Sequence, residues 1–281
     1  MSGFLAEMAR GSAARVARAR LLSADVEMLA RARAIPEPPP LRLGGGGFDL
    51  IAEVKLRSPA EGLLTAAGRG AAADDLAGRV RGYAAAGTAA VSVLTEPSRF
   101  DGSLEHLRSA TQALADSRVP AMRKDFLVDP YQVLEARLAG AGGVLVILRM
   151  LSEAQTDALL DCARDLGLFV LLEAFDEADL ERAQGIVARR VAPGARATLL
   201  VGVNCRDLDT LQVVPGRLEA LAKRLPTGVP CVAESGVGSA DDAARVAAAG
   251  YDLALVGSAL MTSGDPGRLL RDLLAAGRGR S

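Results

Sequence analysis

Apolar runs of strand length recur along most of the chain, and helix-like stretches that end in glycine precede several of them. Examples are AAAGTAAVSVL at 84–94, LAGAGGVLVIL at 138–148 and AAGYDLALVG at 248–257. A glycine after the last helical turn is a common C-cap, and continuous Val, Leu and Ile runs are typical of parallel strands covered on both faces. The pattern therefore predicts a series of βα units.

Eight strands are predicted in this way. Four of them end the segments 84–94, 138–148, 165–173 and 248–257, and the others lie near 48–54, 119–122, 198–203 and 229–233. Eight alternating βα units predict an α/β protein with a closed (β/α)8 TIM barrel. The alternative, an open Rossmann-type sheet, would favour G-x-G-x-x-G after an early strand, and the sequence has none there.

The first part of the chain differs from the rest. Residues 1–35 carry apolar residues at helical spacing and end at IPEPPP, where the prolines stop a helix and form a stiff connector. A run of four glycines follows before the first predicted strand. We therefore predict an N-terminal helical extension and linker over 1–45 and the barrel catalytic domain over 46–281.

Composition narrows the function classes. Half of the residues are apolar, 24% are charged and the net charge is −1, so no overall field favours nucleic acid or an anionic membrane. No apolar run is long enough to span a membrane, and the N-terminus shows no signal-peptide core. The three cysteines form no C-x-x-C pair and predict neither a disulfide framework nor a metal site. We expect a cytoplasmic protein.

Polar residues follow nearly every predicted strand. In a TIM barrel the chemistry lies at the carboxyl ends of the strands, so these residues predict a ring of acid and base groups there. The ring would contain Glu53, Lys55, Ser58, the TEPSRF and RKDF segments, Arg149, Glu173, Asn204, Arg206, Glu234, Ser235 and Gly236. Glu53 and Lys55 are two residues apart and are expected to point to the same side of their strand.

The last two units end in small residues, in the sequences ESGVGS and VGSAL. Backbone N–H groups at such loops and at a helix N-terminus bind anions, and barrels often hold phosphate there. This predicts a substrate that carries a phosphate monoester.

Six motifs in order resemble the indole-3-glycerol-phosphate synthase family of tryptophan biosynthesis. They are EVKxxSP, SVLTEPxxFxGSL, RKDFxxDPYQ, GVNxRDLxT, ESG and VGSALM, from about residue 48 to 266. The resemblance implies ring closure, decarboxylation and dehydration of 1-(2-carboxyphenylamino)-1-deoxyribulose 5-phosphate to indole-3-glycerol phosphate, carbon dioxide and water. It implies no cofactor and no metal.

The resemblance also implies roles for individual residues. Lys124 would be the general acid at the ribulose carbonyl, with a pKa lowered by nearby cations and by desolvation. The division of the base and second-acid roles among Glu53, Lys55 and Glu173 stays open. The catalytic set is completed by Asn204 and Glu234. The substrate would be bound by Ser58, Phe100, Phe126, Arg206, Leu208, Ser235, Gly236, Gly257 and Ser258.

Three alternatives remain beside this assignment. A related phosphoribosylanthranilate isomerase would use a Cys/Asp pair, whereas this chain offers lysines and glutamates. A catalytically silent barrel would serve as a phosphate-binding partner for other proteins. A paralogue would act on a substituted anthranilate adduct in secondary metabolism. We expect a monomer or weak homo-oligomer, with room for contact with other enzymes of the tryptophan pathway.

Overall fold

The computed structural model describes residues 3–58, 62–63, 76–191, 198–208 and 210–279, with the backbone alone at Ser58 and Leu63. Eight parallel strands close into a barrel in the order β1-β10-β9-β8-β7-β6-β5-β4. These strands are β1 (Asp49–Val54), β4 (Ala90–Leu94), β5 (Ala121–Lys124), β6 (Gly143–Ile147), β7 (Phe169–Ala174), β8 (Leu199–Asn204), β9 (Cys231–Glu234) and β10 (Leu253–Val256). A two-stranded antiparallel sheet follows β1 and consists of β2 (Arg57–Ser58) and β3 (Gly62–Leu63). The predicted TIM barrel is confirmed.

Helices follow the barrel strands along the chain. They are α3 (Leu76–Ala85), α4 (Pro97–Phe100), α5 (Leu104–Ala113), α6 (Pro130–Leu138), α7 (Glu153–Asp165), α8 (Glu177–Arg190), α9 (Arg217–Ala222), α10 (Ala240–Ala249), α11 (Ser258–Thr262) and α12 (Pro266–Arg278). The strands are buried along nearly their whole length, as the continuous apolar runs predict for a sheet that helices cover.

Two helices precede the barrel, α1 (Gly3–Arg20) and α2 (Asp25–Ala34). Their apolar residues pack into the main hydrophobic core, with Leu5 and Ala32 fully buried. The N-terminal extension is therefore packed against the barrel through apolar contacts.

Strand β5 extends two residues beyond the predicted run 119–122. It includes Arg123 and Lys124, the first two residues of the RKDF segment. Arg123 is buried and forms ion pairs with Asp125 and Glu135, so its charge is compensated. Asp129 caps the next helix through the Tyr131 N–H, with proline in the first helical turn.

In the described part of the chain, no helix combines the length and the apolarity that crossing a membrane requires.

Candidate active site

A cavity of about 430 Å³ opens at the carboxyl end of the barrel strands. Six side chains of the predicted catalytic set line it: Glu53, Lys55, Lys124, Glu173, Asn204 and Glu234. The predicted substrate-binding residues that line it are Phe100, Phe126, Arg206, Leu208, Ser235, Gly236, Gly257 and Ser258. The side chain of Ser58 lies outside the described part of the structure. The topology thus brings together residues that are up to about 200 positions apart in sequence.

Lys124 lies between two carboxylates at the end of strand β5. Its Nζ is 3.4 Å from Glu173 Oε2 and 3.3 Å from Glu234 Oε2. Both glutamates are almost fully buried, whereas the Lys124 side chain keeps 16% of its surface exposed. The ammonium group is therefore paired with two buried carboxylates and remains partly exposed to the cavity.

The expected lowering of the Lys124 pKa is wrong. Burial does lower the pKa of Lys124, but the negative charges of Glu173, Glu234 and Glu53 outweigh it and raise the pKa above its ordinary value. The residues nearest to this lysine are anions and not the cations that the sequence suggested. Lys124 is consequently an ammonium group at neutral pH, which is the form that donates a proton.

The surroundings favour the neutral form of Glu234, whereas they favour the charged form of Lys124. Burial and the neighbouring charge of Glu173 raise its pKa to about 8, against the opposing effect of Lys124. Its Oε1 atom is buried without a hydrogen-bond partner among the described residues. A carboxyl group in this position holds a proton near neutral pH, at hydrogen-bond distance from the lysine.

A stability measurement tests this protonation. The pKa of Glu234 is about 8 in the fold against an ordinary value of 4.5, so between these values the folded state holds a proton that the unfolded state has released. Stability from this group is present at low pH and is lost as the pH rises through that window. The free energy of unfolding of wild type minus that of Glu234→Gln should therefore fall across the window, measured by urea denaturation. A difference independent of pH would show that Glu234 is ionised throughout.

Asn204 forms hydrogen bonds to Glu173, Ser235 and Arg206. Its Nδ2 donates to Glu173 Oε1 at 2.9 Å, and its Oδ1 accepts from the Ser235 hydroxyl and from the Arg206 N–H, both at 2.9 Å. These three partners fix which way the amide points. Asn204 therefore links the carboxylate of Glu173, which pairs with Lys124, to the loop after strand β9.

Glu53 and Lys55 form a second acid–base pair, as their spacing predicted. Lys55 Nζ is 3.5 Å from Glu53 Oε1, and both side chains are nearly buried. Gly257 lies against this carboxylate, and a Cβ atom there would overlap Glu53 Oε1. A glycine at the end of strand β10 thus makes room for the glutamate.

Gly202, in the middle of strand β8, has the same relation to Glu234. A Cβ atom at position 202 would overlap Glu234 Oε1 and lie 3.1 Å from Leu171 Cδ1. Gly202 was not among the predicted site residues. Its signal was an isolated glycine within a strand, which often marks the close approach of another group.

Aromatic side chains form another part of the cavity lining. The Phe126 ring lies 6.1 Å from Phe100, and 5.8 Å edge-to-face from Phe4 in helix α1. Phe4 lines the cavity and was missed as well, because its place depends on how the extension packs on the barrel. Leu208 adds a further apolar surface. This side of the cavity suits a flat apolar ring.

The predicted phosphate-binding residues Ser235, Gly236, Gly257 and Ser258 lie directly after strands β9 and β10. Ser235 and Gly236 both have a left-handed backbone, with φ of 67° and 77°. Gly257 and Ser258 begin the short helix α11. This is the location that the sequence predicts for the phosphate group.

Arg149 lies outside the cavity lining, contrary to its predicted place in the polar ring. Its guanidinium group forms an ion pair with Asp179 at 2.7 Å and another with Asp176, and it lies 4.5 Å from the centre of the Phe175 ring. Two carboxylates on the neighbouring loop and helix draw it away from the barrel axis, and these could not be located from sequence.

Cys205 is buried next to Asn204 but does not line the cavity. Its Sγ donates to the Val214 carbonyl at 2.9 Å, and burial raises the pKa of the thiol. A thiol in this state is a poor acid–base group, which disfavours the isomerase alternative. Within the ranges that the structure describes, no group of three or more His, Cys, Asp and Glu side chains is arranged to hold a metal ion.

The sequence matches the family model described as indole-3-glycerol phosphate synthase over residues 8–273. A protein of that name from a Nocardioides species is 44% identical over 257 residues, which cover 92% of this chain and 89% of that one. Indole-3-glycerol phosphate synthase 1 of Streptomyces coelicolor is 42% identical and covers 84% of this chain and 80% of its own.

Solved structures with similar folds are more distant in sequence. A chain of tryptophan synthase from M. tuberculosis superposes with a TM-score of 0.55 at 15% identity, covering 82% of this chain and 92% of that one. Thiamine phosphate pyrophosphorylase from Pyrococcus furiosus gives a TM-score of 0.56 at 14% identity, covering 83% and 96%. At these identities the likeness concerns the barrel fold alone.

Proposed function

The chain belongs to the indole-3-glycerol phosphate synthase family, and from this premise we infer that it closes an indole ring in tryptophan biosynthesis. Its substrate is 1-(2-carboxyphenylamino)-1-deoxyribulose 5-phosphate, and its products are indole-3-glycerol phosphate, carbon dioxide and water. The observation that carries the proposal is the ammonium group of Lys124, which two buried glutamates hold at the cavity floor.

Ring closure is the step that Lys124 serves. As the carbon of the anilino ring attacks the ribulose carbonyl, negative charge develops on the carbonyl oxygen, and the ammonium group donates a proton to it. Glu234, with a pKa of about 8, is within hydrogen-bond distance and returns a proton to the lysine. A raised lysine pKa is compatible with this role, because it keeps the donor protonated until charge develops.

Decarboxylation and dehydration complete the reaction. Loss of the carboxylate as carbon dioxide restores the aromatic benzene ring, and departure of the hydroxyl group as water forms the indole double bond. Glu53, Lys55 and Glu173 supply the acid and base for these proton transfers. The Glu53–Lys55 contact of 3.5 Å places a donor and an acceptor side by side.

The two sides of the cavity orient the substrate. The aromatic ring packs between Phe100, Phe126 and Leu208, and the phosphate group lies at the loops of Ser235–Gly236 and Gly257–Ser258. Arg206 and Asn204 face the carboxylate and carbonyl region. Phe4 packs over Phe126, which supports the proposal that the N-terminal helices cover the barrel mouth and exclude water.

Cellular location and oligomeric state follow from the same proposal. A biosynthetic enzyme with a small phosphorylated substrate fits a cytoplasmic location. We propose a monomer or weak homo-oligomer, open to contact with other enzymes of the tryptophan pathway.

A direct assay tests the activity. The purified protein is mixed with the carboxyphenylamino-deoxyribulose phosphate, and indole fluorescence is followed with time. Product formation supports the proposal, whereas substrate that stays unchanged would favour the silent barrel. Growth of a tryptophan-requiring strain that lacks this step, restored by the gene for this chain, would distinguish the main function from a paralogue that prefers substituted rings.

A further inference from the structure

Helix α1 makes polar contacts with the segments that follow two neighbouring barrel strands. The side-chain contacts include Arg15 with Asp125 and Glu96, Ser12 with Gln132, Arg20 with Asp129 and Glu7 with Arg99. The contact of Arg15 is the one nearest to Lys124 along the chain. Arg15 reaches the residue directly after Lys124, whereas the other contacts lie further from it along the chain or on another segment.

Asp125 is a buried centre of hydrogen bonds. Its Oδ1 accepts from Arg15 at 2.7 Å and from the Phe126 N–H at 2.8 Å. Its Oδ2 accepts from the Thr95 hydroxyl at 2.8 Å and from Arg123 at 3.0 Å. Its carboxylate therefore bonds to groups on both sides of Lys124 in the chain and to the neighbouring strand end.

We propose that Arg15 is a positioning residue for Lys124 and acts through Asp125. The inference rests on the proposed function, since it needs Lys124 to be the acid of the reaction. Arg15 itself is not among the residues that line the cavity. It contacts two buried carboxylates, Asp125 at 2.7 Å and Glu96 at 3.5 Å, and the closer one belongs to the residue next to Lys124.

The charges around Asp125 give the physical reason. Burial raises the pKa of Asp125, but the positive charges of Arg123 and Arg15 lower it below its ordinary value. With Arg15 removed, Oδ1 keeps one partner, the Phe126 N–H, and a buried carboxylate loses one of its two cations. The carboxylate then keeps only its partners within the barrel, the Phe126 N–H, Thr95 and Arg123. The segment that carries Lys124 loses its hydrogen bond to helix α1, which fixes its position.

Kinetics of Arg15→Ala test the proposal. A misplacement of the acid by about 1 Å costs on the order of 10²-fold in rate, so we expect kcat to fall by about 10- to 100-fold while KM changes little. Arg15→Lys keeps the charge and should recover most of the lost kcat. If Arg15→Ala does not fold, Arg15→Gln keeps the apolar stem without the charge and replaces it.

Arg20→Ala is the matched control. It removes another ion pair between the same helix and the loop after strand β5, at Asp129, with exposed partners. A helix that is merely anchored by its ion pairs would respond alike to both substitutions, with a higher KM. We expect kcat of Arg20→Ala to stay near that of wild type. In an Asp125→Asn background, Arg15→Ala should have little further effect on kcat.

The outcomes separate the two proposals. A wild-type protein without synthase activity would overturn the proposed function itself. Active wild type together with an unchanged kcat in Arg15→Ala, or an equal loss in Arg20→Ala, would overturn the positioning role alone. A raised KM at unchanged kcat in Arg15→Ala would likewise reduce Arg15 to an anchor of the extension.

Discussion

Lys124→Ala is expected to lower kcat by about 10²- to 10⁴-fold, the contribution typical of a positioned general acid. Alanine leaves the two buried carboxylates of Glu173 and Glu234 in place but removes the ammonium group between them, the proposed proton donor to the ribulose carbonyl. The assay is steady-state turnover of the carboxyphenylamino-deoxyribulose phosphate, followed by indole fluorescence. Near-normal turnover would exclude Lys124 as the acid.

The fold of Lys124→Ala should be retained. Two buried carboxylates without their cation share a proton instead of both remaining ionised. The melting temperature of the variant should therefore stay close to that of wild type at mildly acidic pH, and fall at alkaline pH, where this proton is lost. Circular dichroism melts at both pH values check this.

The chain contains a matched control. Of its three lysines, Lys55 and Lys124 line the cavity, and Lys223 is exposed at the end of helix α9. Lys223→Ala should leave kcat, KM and the melting temperature unchanged. A general loss of activity in that variant would indicate that net charge, and not the position of Lys124, is responsible.

The barrel was predictable because its signal is local. Continuous apolar runs and glycine caps predict each βα unit, and the closed order of the strands follows from their number. The end of strand β5 was less clear, since Arg123 and Lys124 look too polar for a buried strand. Arg123 is compensated by Glu135 of the next helix, but the partners of Lys124, Glu173 and Glu234, come from other units. Such compensation cannot be seen in a short window of sequence.

The candidate site was predictable where a polar residue comes at the end of an apolar run, as for Glu53 and Glu173. It was not predictable where a property depends on distances between units. The Lys124 pKa was expected to be lowered because the sequence around it is basic, yet the structure surrounds it with carboxylates. Phe4 was missed for the same reason, since its contact with Phe126 arises only when the extension packs on the barrel.

Gly202 is of a different kind, because it could have been found from sequence and its substitution has a large expected effect. Gly202→Ala would place a methyl group onto Glu234 Oε1, 3.0 Å from Glu234 Cδ. The carboxyl group has to move away from Lys124, so we expect kcat to fall on the order of 10²-fold. Overpacking of the barrel interior should cost about 1–3 kcal/mol of stability. Kinetics and urea denaturation measure the two effects.

A double-mutant cycle shows whether the loss passes through Glu234. In Glu234→Ala the space next to position 202 is empty, so adding Gly202→Ala should change kcat by about twofold or less, as for independent sites. Gly185→Ala is the control, because a Cβ atom in helix α8 meets no atom closer than 3.5 Å, and kcat should not change. If Gly202→Ala were equally damaging with and without the Glu234 side chain, its effect would come from the strand backbone or Leu171. The absence of a side chain at Gly202 would then have no part in placing the carboxyl group that is proposed to return a proton to Lys124.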